Sequence, residues 1–155
     1  MISAVFDCMV FVQAITSTAG PSAACLGFVE EGHVRLFLSA DVVAEVRHVF
    51  LRSSTRIKYP DLTRAKVELV LAKLTALGEV KDTVPLALQL PRDPKDECYL
   101  NLAIAAQASF IVTWDDDLLS LMKQTAFRKD HPSLSVVDPV TFLAHVRGRF
   151  EKKAG

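Results

Sequence analysis

Cysteine is scarce in this chain: Cys8, Cys25 and Cys98 are odd in number and widely spaced among 155 residues. They form neither a disulfide framework nor a CxxC-type zinc pattern, and a reducing cytoplasm is the compartment that this usage fits. No apolar run approaches the roughly 18 to 20 residues of a membrane span. The start of the chain lacks the basic region and small-residue cleavage site of a secretory signal, and Asp7 interrupts its apolar stretch. There is no Gly-rich phosphate loop, no GxSxG elbow and no Ser–His or Cys–His arrangement. The histidines, His33, His48, His131 and His145, are scattered without zinc-ligand spacing. Neither repeats nor a long linker interrupt the sequence. Formal net charge is zero, so bulk electrostatics neither require nor exclude a polyanionic partner.

What remains is the composition of an ordinary folded domain, half hydrophobic and 23% charged, with the size of one domain and a proper core. Strand and helix signals alternate. Ile2 to Phe6 is an apolar run suited to a buried strand, and Ser22 to Glu30 reads as a helix ended near Gly32. Val34 to Leu38 predicts a second strand, and Ser39 a helix N-cap. The helix after it buries Val42, Val43, Val46, Val49 and Phe50, spaced three and four apart. Pro60 stops continuation, Thr63 caps the next helix, and that helix ends near Gly78. Val80 to Pro91 reads as a short strand and a proline-bounded loop. A helix opens at Asp93 or Asp96 and runs through Ala106, with Pro94 in its first turn. Phe110 to Thr113 is a strand, Asp115 to Met122 a short helix, Leu134 to Val137 a last strand, and Asp138-Pro139 starts a closing helix. Such alternation predicts a parallel sheet covered on both faces.

Acids recur at the ends of these elements, in the order Asp7, Glu45, Asp96, Asp115 and Asp117. The carboxyl ends of strands are where open α/β sheets build their sites. Taken singly, each has a simpler role: Asp7 as a helix cap, Glu45 at the wet edge of an apolar stripe, Asp96 beside a helix dipole. Together they would repel one another by several kcal/mol per close pair at an effective dielectric of about 20. A divalent cation relieves that repulsion. Oxygen donors suit Mg²⁺ or Mn²⁺, which points to metal-dependent phosphodiester chemistry. Arg92-Asp93-Pro94-Lys95-Asp96-Glu97 adds further acids at one helix start, and Thr113-Trp114-Asp115-Asp116-Asp117 packs three into one turn. Between Arg47 and Lys66 the bases Arg47, Arg52, Arg56, Lys58, Arg64 and Lys66 face the single acid Asp61. Arg47, Arg52, Arg56 and Lys58 are candidates for contact with a polyanion, although such a run is often only a solvated face.

The segments Ala4-Val5-Phe6-Asp7, Leu38 to Val46, Arg92 to Leu100 and Phe110 to Leu119 together resemble the PIN-domain family, in particular its toxins of type II toxin–antitoxin pairs (VapC-like ribonucleases). The likeness covers nearly the whole chain. It implies a three-layer α/β/α sandwich with a mainly parallel central sheet over residues 1–147, followed by a basic tail at 148–155. It implies an endoribonuclease in which Asp7, Glu45, Asp96 and Asp115 are catalytic. Asp7, Asp96, Asp115 and Asp117 would bind Mg²⁺ or Mn²⁺, and Thr113, Asp93 and Glu97 would support them. The implied partners are RNA, a small antitoxin protein and a second copy of the chain. The helix from Val67 to Leu77 is a candidate dimer surface, though core packing is its simpler role.

One departure stands out. The family usually follows its first Asp with Thr-Asn or Ser-Asn, and here Cys8-Met9 follows, a weak donor and a poor acceptor. Loss of hydrogen bonds that orient ligands costs about 10- to 100-fold in metal affinity or activity. A PIN fold that binds RNA or protein without cutting is therefore the second expectation. A phosphotransferase using Asp7 as nucleophile is a distant third, because no Asp-x-Asp follows the first strand.

Overall fold

The computed structural model describes residues 1–86 and 96–154, and side chains as far as Lys152. Five strands form one sheet: β1 (Ile2–Phe6), β2 (Val34–Ser39), β3 (Glu79–Lys81), β4 (Phe110–Val112) and β5 (Ser135–Val137). Their order is β3-β2-β1-β4-β5, and every pairing is parallel. All five residues of β1 are buried. Because successive side chains of a strand point to opposite faces, both faces of the sheet must be covered there. This is the α/β architecture that the sequence predicts.

Nine helices are described: α1 (Cys8–Thr16), α2 (Pro21–Glu30), α3 (Ala40–Leu51), α4 (Ser53–Lys58), α5 (Arg64–Leu77), α6 (Glu97–Ala106), α7 (Asp116–Leu119), α8 (Thr125–Asp130) and α9 (Pro139–Ala154). The predicted caps are present. Ser39 Oγ accepts from the Val42 amide at 3.1 Å, and Thr63 Oγ1 from Lys66 at 3.3 Å. On α5 the buried residues are Val67, Leu71 and Leu74, and the helix packs on α3, so its apolar stripe belongs to the core. Phe6 and Phe110 point to the same face of the sheet, where Phe142 of α9 meets them edge-on, at 5.9 Å from Phe6 and 5.3 Å from Phe110.

Several elements differ from expectation. Helix α1 carries no assignment from the sequence because Cys8–Thr16 is apolar nearly all round and gives no stripe to read; Asp7 caps it. Helices α4 and α8, six residues each, are too short to carry a helical repeat. The single helix expected from Asp115 to Met122 is instead α7 followed by a 3₁₀ turn, Ser120–Lys123. Helix α9 continues through position 148, where the basic tail was expected to begin. Phe150 on it lies 5.7 Å from the Phe28 ring and 4.5 Å from His33. Of the two starts expected for α6, the Glu97 side of the segment is described, with Asp96 in the N-cap position. Arg92, Asp93, Pro94 and Lys95, and the end of the loop from Val80 to Pro91, lie outside the described residues.

Candidate active site

Strand order decides where a site can form. From β1 the chain moves outward to β2 and β3, then returns across the sheet to β4 on the other side. That reversal leaves a crevice beyond the carboxyl ends of β1 and β4, where open α/β sheets bind ligands. Phe6 pairs with Val112, so Asp7 and Thr113 come level just past the last rungs of their strands. The Asp7 amide still reaches Val112 oxygen at 3.1 Å, and the Thr113 amide reaches Val137 oxygen at 2.9 Å.

Asp7 is 5% exposed. Its Oδ1 accepts from the Val10 amide at 3.1 Å, capping α1. Its Oδ2 accepts from the hydroxyl of Thr113, which is itself wholly buried. The same Thr113 oxygen accepts from the Asp115 amide at 2.9 Å. Burial pushes the Asp7 carboxyl above its ordinary value; the hydrogen bonds from Thr113, Val10 and Met9 oppose this, and the charge of Asp115 adds to it. Asp115 caps α7 by accepting from the Leu118 amide at 3.0 Å.

Four carboxylates from four parts of the chain, Asp7, Glu45, Asp96 and Asp115, line one cleft of about 410 Å³. Glu45 comes from the second turn of α3, and Asp96 from the start of α6. The other walls are Cys8, Met9, Val49, Arg52, Tyr99 and Trp114. Asp117 lies elsewhere. It is exposed and sits in the first turn of α7, where helical geometry turns alternate residues to opposite sides; the cap, Asp115, faces the cleft. Glu97 is half-buried in the first turn of α6 and is not among the cleft residues. Asp93 lies outside the described residues.

The basic residues divide in a similar way. Arg52 reaches the cleft. Arg47 is turned to Glu68, Nε to Oε1 at 2.8 Å. Arg56 borders a separate groove with Ile57 and Arg64, and the Lys58 ammonium sits 5.5 Å from the Tyr59 ring centre.

Tyr99 is a residue that sequence reasoning missed. Its ring is buried on α6, and its hydroxyl accepts from the Cys8 amide at 3.1 Å. The signal was available, since Tyr99 lies three residues after Asp96 and therefore on the same helical face. Burial, with Glu45 and other nearby acids adding to it, pushes the Cys98 thiol up to about 12. Burial likewise pushes Cys8 up to about 11, so neither is a thiolate at neutral pH.

Among the described residues, no three His, Cys, Asp or Glu side chains are already gathered as a metal cage. The donor chemistry nonetheless fits a hard divalent cation: the cleft offers carboxylate oxygens and no histidine. Mg²⁺ usually keeps several of its waters and takes only one or two carboxylates. No single described helix is long and apolar enough to cross a membrane.

The crystal structure of VapBC2 from Rickettsia felis, bound to a DNA fragment from their promoter, has a similar fold. It aligns at a TM-score of 0.55 with 16% sequence identity, covering 88% of this chain and 98% of that one. No curated protein matches the sequence. The PIN domain family model matches residues 3–117, a span that holds β1 to β4 and every acid lining the cleft, and the chain belongs to the PIN-domain family of nucleases.

Proposed function

We propose that the protein is a metal-dependent endoribonuclease and the toxin of a type II toxin–antitoxin pair. The observation that carries this reading is the convergence of Asp7, Glu45, Asp96 and Asp115 on one cleft at the reversal point of the sheet. Asp7, Asp96 and Asp115, with Glu45, would hold Mg²⁺ or Mn²⁺; Asp117 does not line the cleft and would support the set from outside it. When bound, such an ion offsets phosphate charge and lowers the pKa of a water.

The chain's own groups supply the positioning. Thr113 fixes the rotation of the Asp7 carboxylate and ties the start of the Asp115 turn to it. Tyr99 anchors the first amide of α1. Arg52 offers a cation on the cleft wall for a strand's phosphate. Asp7 thus has a hydroxyl partner in Thr113 although Cys8 and Met9 replace the family's polar pair, which supports a working site. The similar structure, VapBC2 on promoter DNA, supports pairing with a small antitoxin protein.

The second reading, a PIN fold that binds without cutting, is favoured by Cys8-Met9 and by the absence of a ready-made cage among the described residues. Calorimetry with Mn²⁺ separates the two when wild type is run beside Asp96→Asn and Asp115→Asn. Binding in wild type that is lost in both variants, with RNA cleavage lost in parallel, supports the nuclease. A wild type that takes up no Mn²⁺ at millimolar concentration, with or without RNA, leaves the binding module.

A further inference from the structure

The chain's single tryptophan stands on the rim of the acidic cleft. Trp114 lies between Thr113 and Asp115, the two residues that carry the hydrogen bonds at the end of β4. It is 38% exposed, although nothing in the turn itself requires an indole there. Its polar atom is accounted for: Nε1 donates to Ser22 Oγ at 3.2 Å, and Ser22 Oγ donates to Gln13 Oε1 at 2.9 Å. Ser22 is 1% exposed. The indole is therefore pinned by its nitrogen to Ser22 of α2, which is bonded in turn to Gln13 of α1. Met9, 42% exposed, lines the same cleft. An indole and a flexible thioether thus line the same cleft as four carboxylates and Arg52.

We infer that Trp114 is a stacking platform for one unpaired base of a single-stranded RNA whose backbone passes over the acids. The inference rests on the nuclease reading for its choice of strand. Every base has a π-face, and a strand crossing a cleft must place its bases beside its phosphates. A pinned indole accepts a base without first losing rotamer freedom, and stacking of this kind tolerates any sequence. It requires the base to be unpaired, so the platform selects single strands over duplexes.

Because Trp114 is the only tryptophan, its emission reports on this position alone. The full chain is titrated in Ca²⁺ with a short single-stranded RNA, with its duplex and with an abasic strand of the same length. Binding is read independently by anisotropy. The single strand is expected to quench the emission, and the duplex and abasic strand are expected to leave it nearly unchanged. Trp114→Ala is expected to weaken single-strand binding roughly 5- to 150-fold, the usual loss when one stacked base is released. Trp114→Phe keeps a ring and is expected to recover most of the affinity; comparing the melting curves of both variants excludes a mere folding defect.

Binding without quenching, with equal affinity in Trp114→Ala, overturns the platform and leaves the nuclease reading intact if cleavage still depends on Asp96. Saturable quenching in a protein that cleaves nothing does the reverse. Absence of single-strand binding, or an emission change seen only with a protein partner, assigns the ring to a protein contact and overturns the proposal.

Discussion

The Thr113 hydroxyl donates to Asp7 Oδ2, joining two residues 106 positions apart in sequence across adjacent strands. The bond fixes which way the buried carboxylate faces, and the same oxygen receives the Asp115 amide. One side chain thereby holds two of the acids of the cleft in register.

Thr113→Val removes that oxygen while keeping the shape. A half-buried amide and a buried carboxylate each lose a partner, at a cost of about 1 to 3 kcal/mol. Metal affinity or turnover should fall by about 10- to 100-fold, as when other ligand-orienting hydrogen bonds are lost. Urea melts and Mn²⁺ titrations of Thr113→Val and Thr113→Ser test this. The serine variant should retain most of both properties, and a valine variant equal to wild type would show that the hydroxyl is idle.

Asp7 gives a pH signature with a definite sign. Its folded pKa is raised above 3.8, chiefly by burial. The metal-free folded state therefore holds its proton longer than the unfolded chain. Its favourable contribution is complete below the unfolded value and is lost as pH rises through the folded one. In metal-free buffer, Asp7→Asn should gain stability relative to wild type as pH rises from acid towards neutral. Millimolar Mn²⁺ should narrow or reverse that gap, since the cation favours the ionised carboxylate. Parallel stability curves at every pH would contradict the raised pKa.

Tyr99→Phe deletes the acceptor of the Cys8 amide without opening much space. A single neutral hydrogen bond of this kind is worth about 0.5 to 1.5 kcal/mol, and that is the expected fall in unfolding free energy. Hydrogen exchange should locate the change at the start of α1, beside Asp7. Unchanged protection of the Cys8 amide would mean that water replaces the phenol at no cost.

Two glycines should respond in opposite directions. A Cβ on Gly78 would meet Leu38 Cδ1 at 2.9 Å and Leu36 oxygen at 3.0 Å, so the turn from α5 into β3 passes too close to β2 for a side chain. Gly78→Ala should cost about 1 to 3 kcal/mol, the range for overpacking. Gly27, inside α2, has nothing within 4 Å of such an atom. There alanine should add about 0.5 to 1 kcal/mol of stability by restricting the unfolded chain and favouring the helix. Chemical denaturation of both variants checks the pair of signs.

Local patterns made much of the fold legible. Apolar runs marked β1, β2 and β4, and the three-and-four spacing of Val42, Val46, Val49 and Phe50 marked α3. Ser39 and Thr63 announced their helices because a hydroxyl that can accept an N-terminal amide is a local device. The nearly all-apolar α1 and the six-residue α4 and α8 gave too little periodic contrast, so they stayed hidden.

The sequence by itself determined the class of the fold, a parallel α/β sheet, and the acids it could bring to an edge. Those follow from side-chain type and short-range spacing. Tertiary structure alone decided which of them meet. Asp7 and Asp115 become neighbours because β4 returns to the far side of β1, and Glu45 and Asp96 because α3 and α6 begin near that same edge. It also parted residues close in the chain: Asp117 turns away two positions beyond the cap at Asp115, and Arg47 turns to Glu68 while Arg52 reaches the cleft. Register and helix phase set these distances, and both are properties of packed elements that no single segment carries.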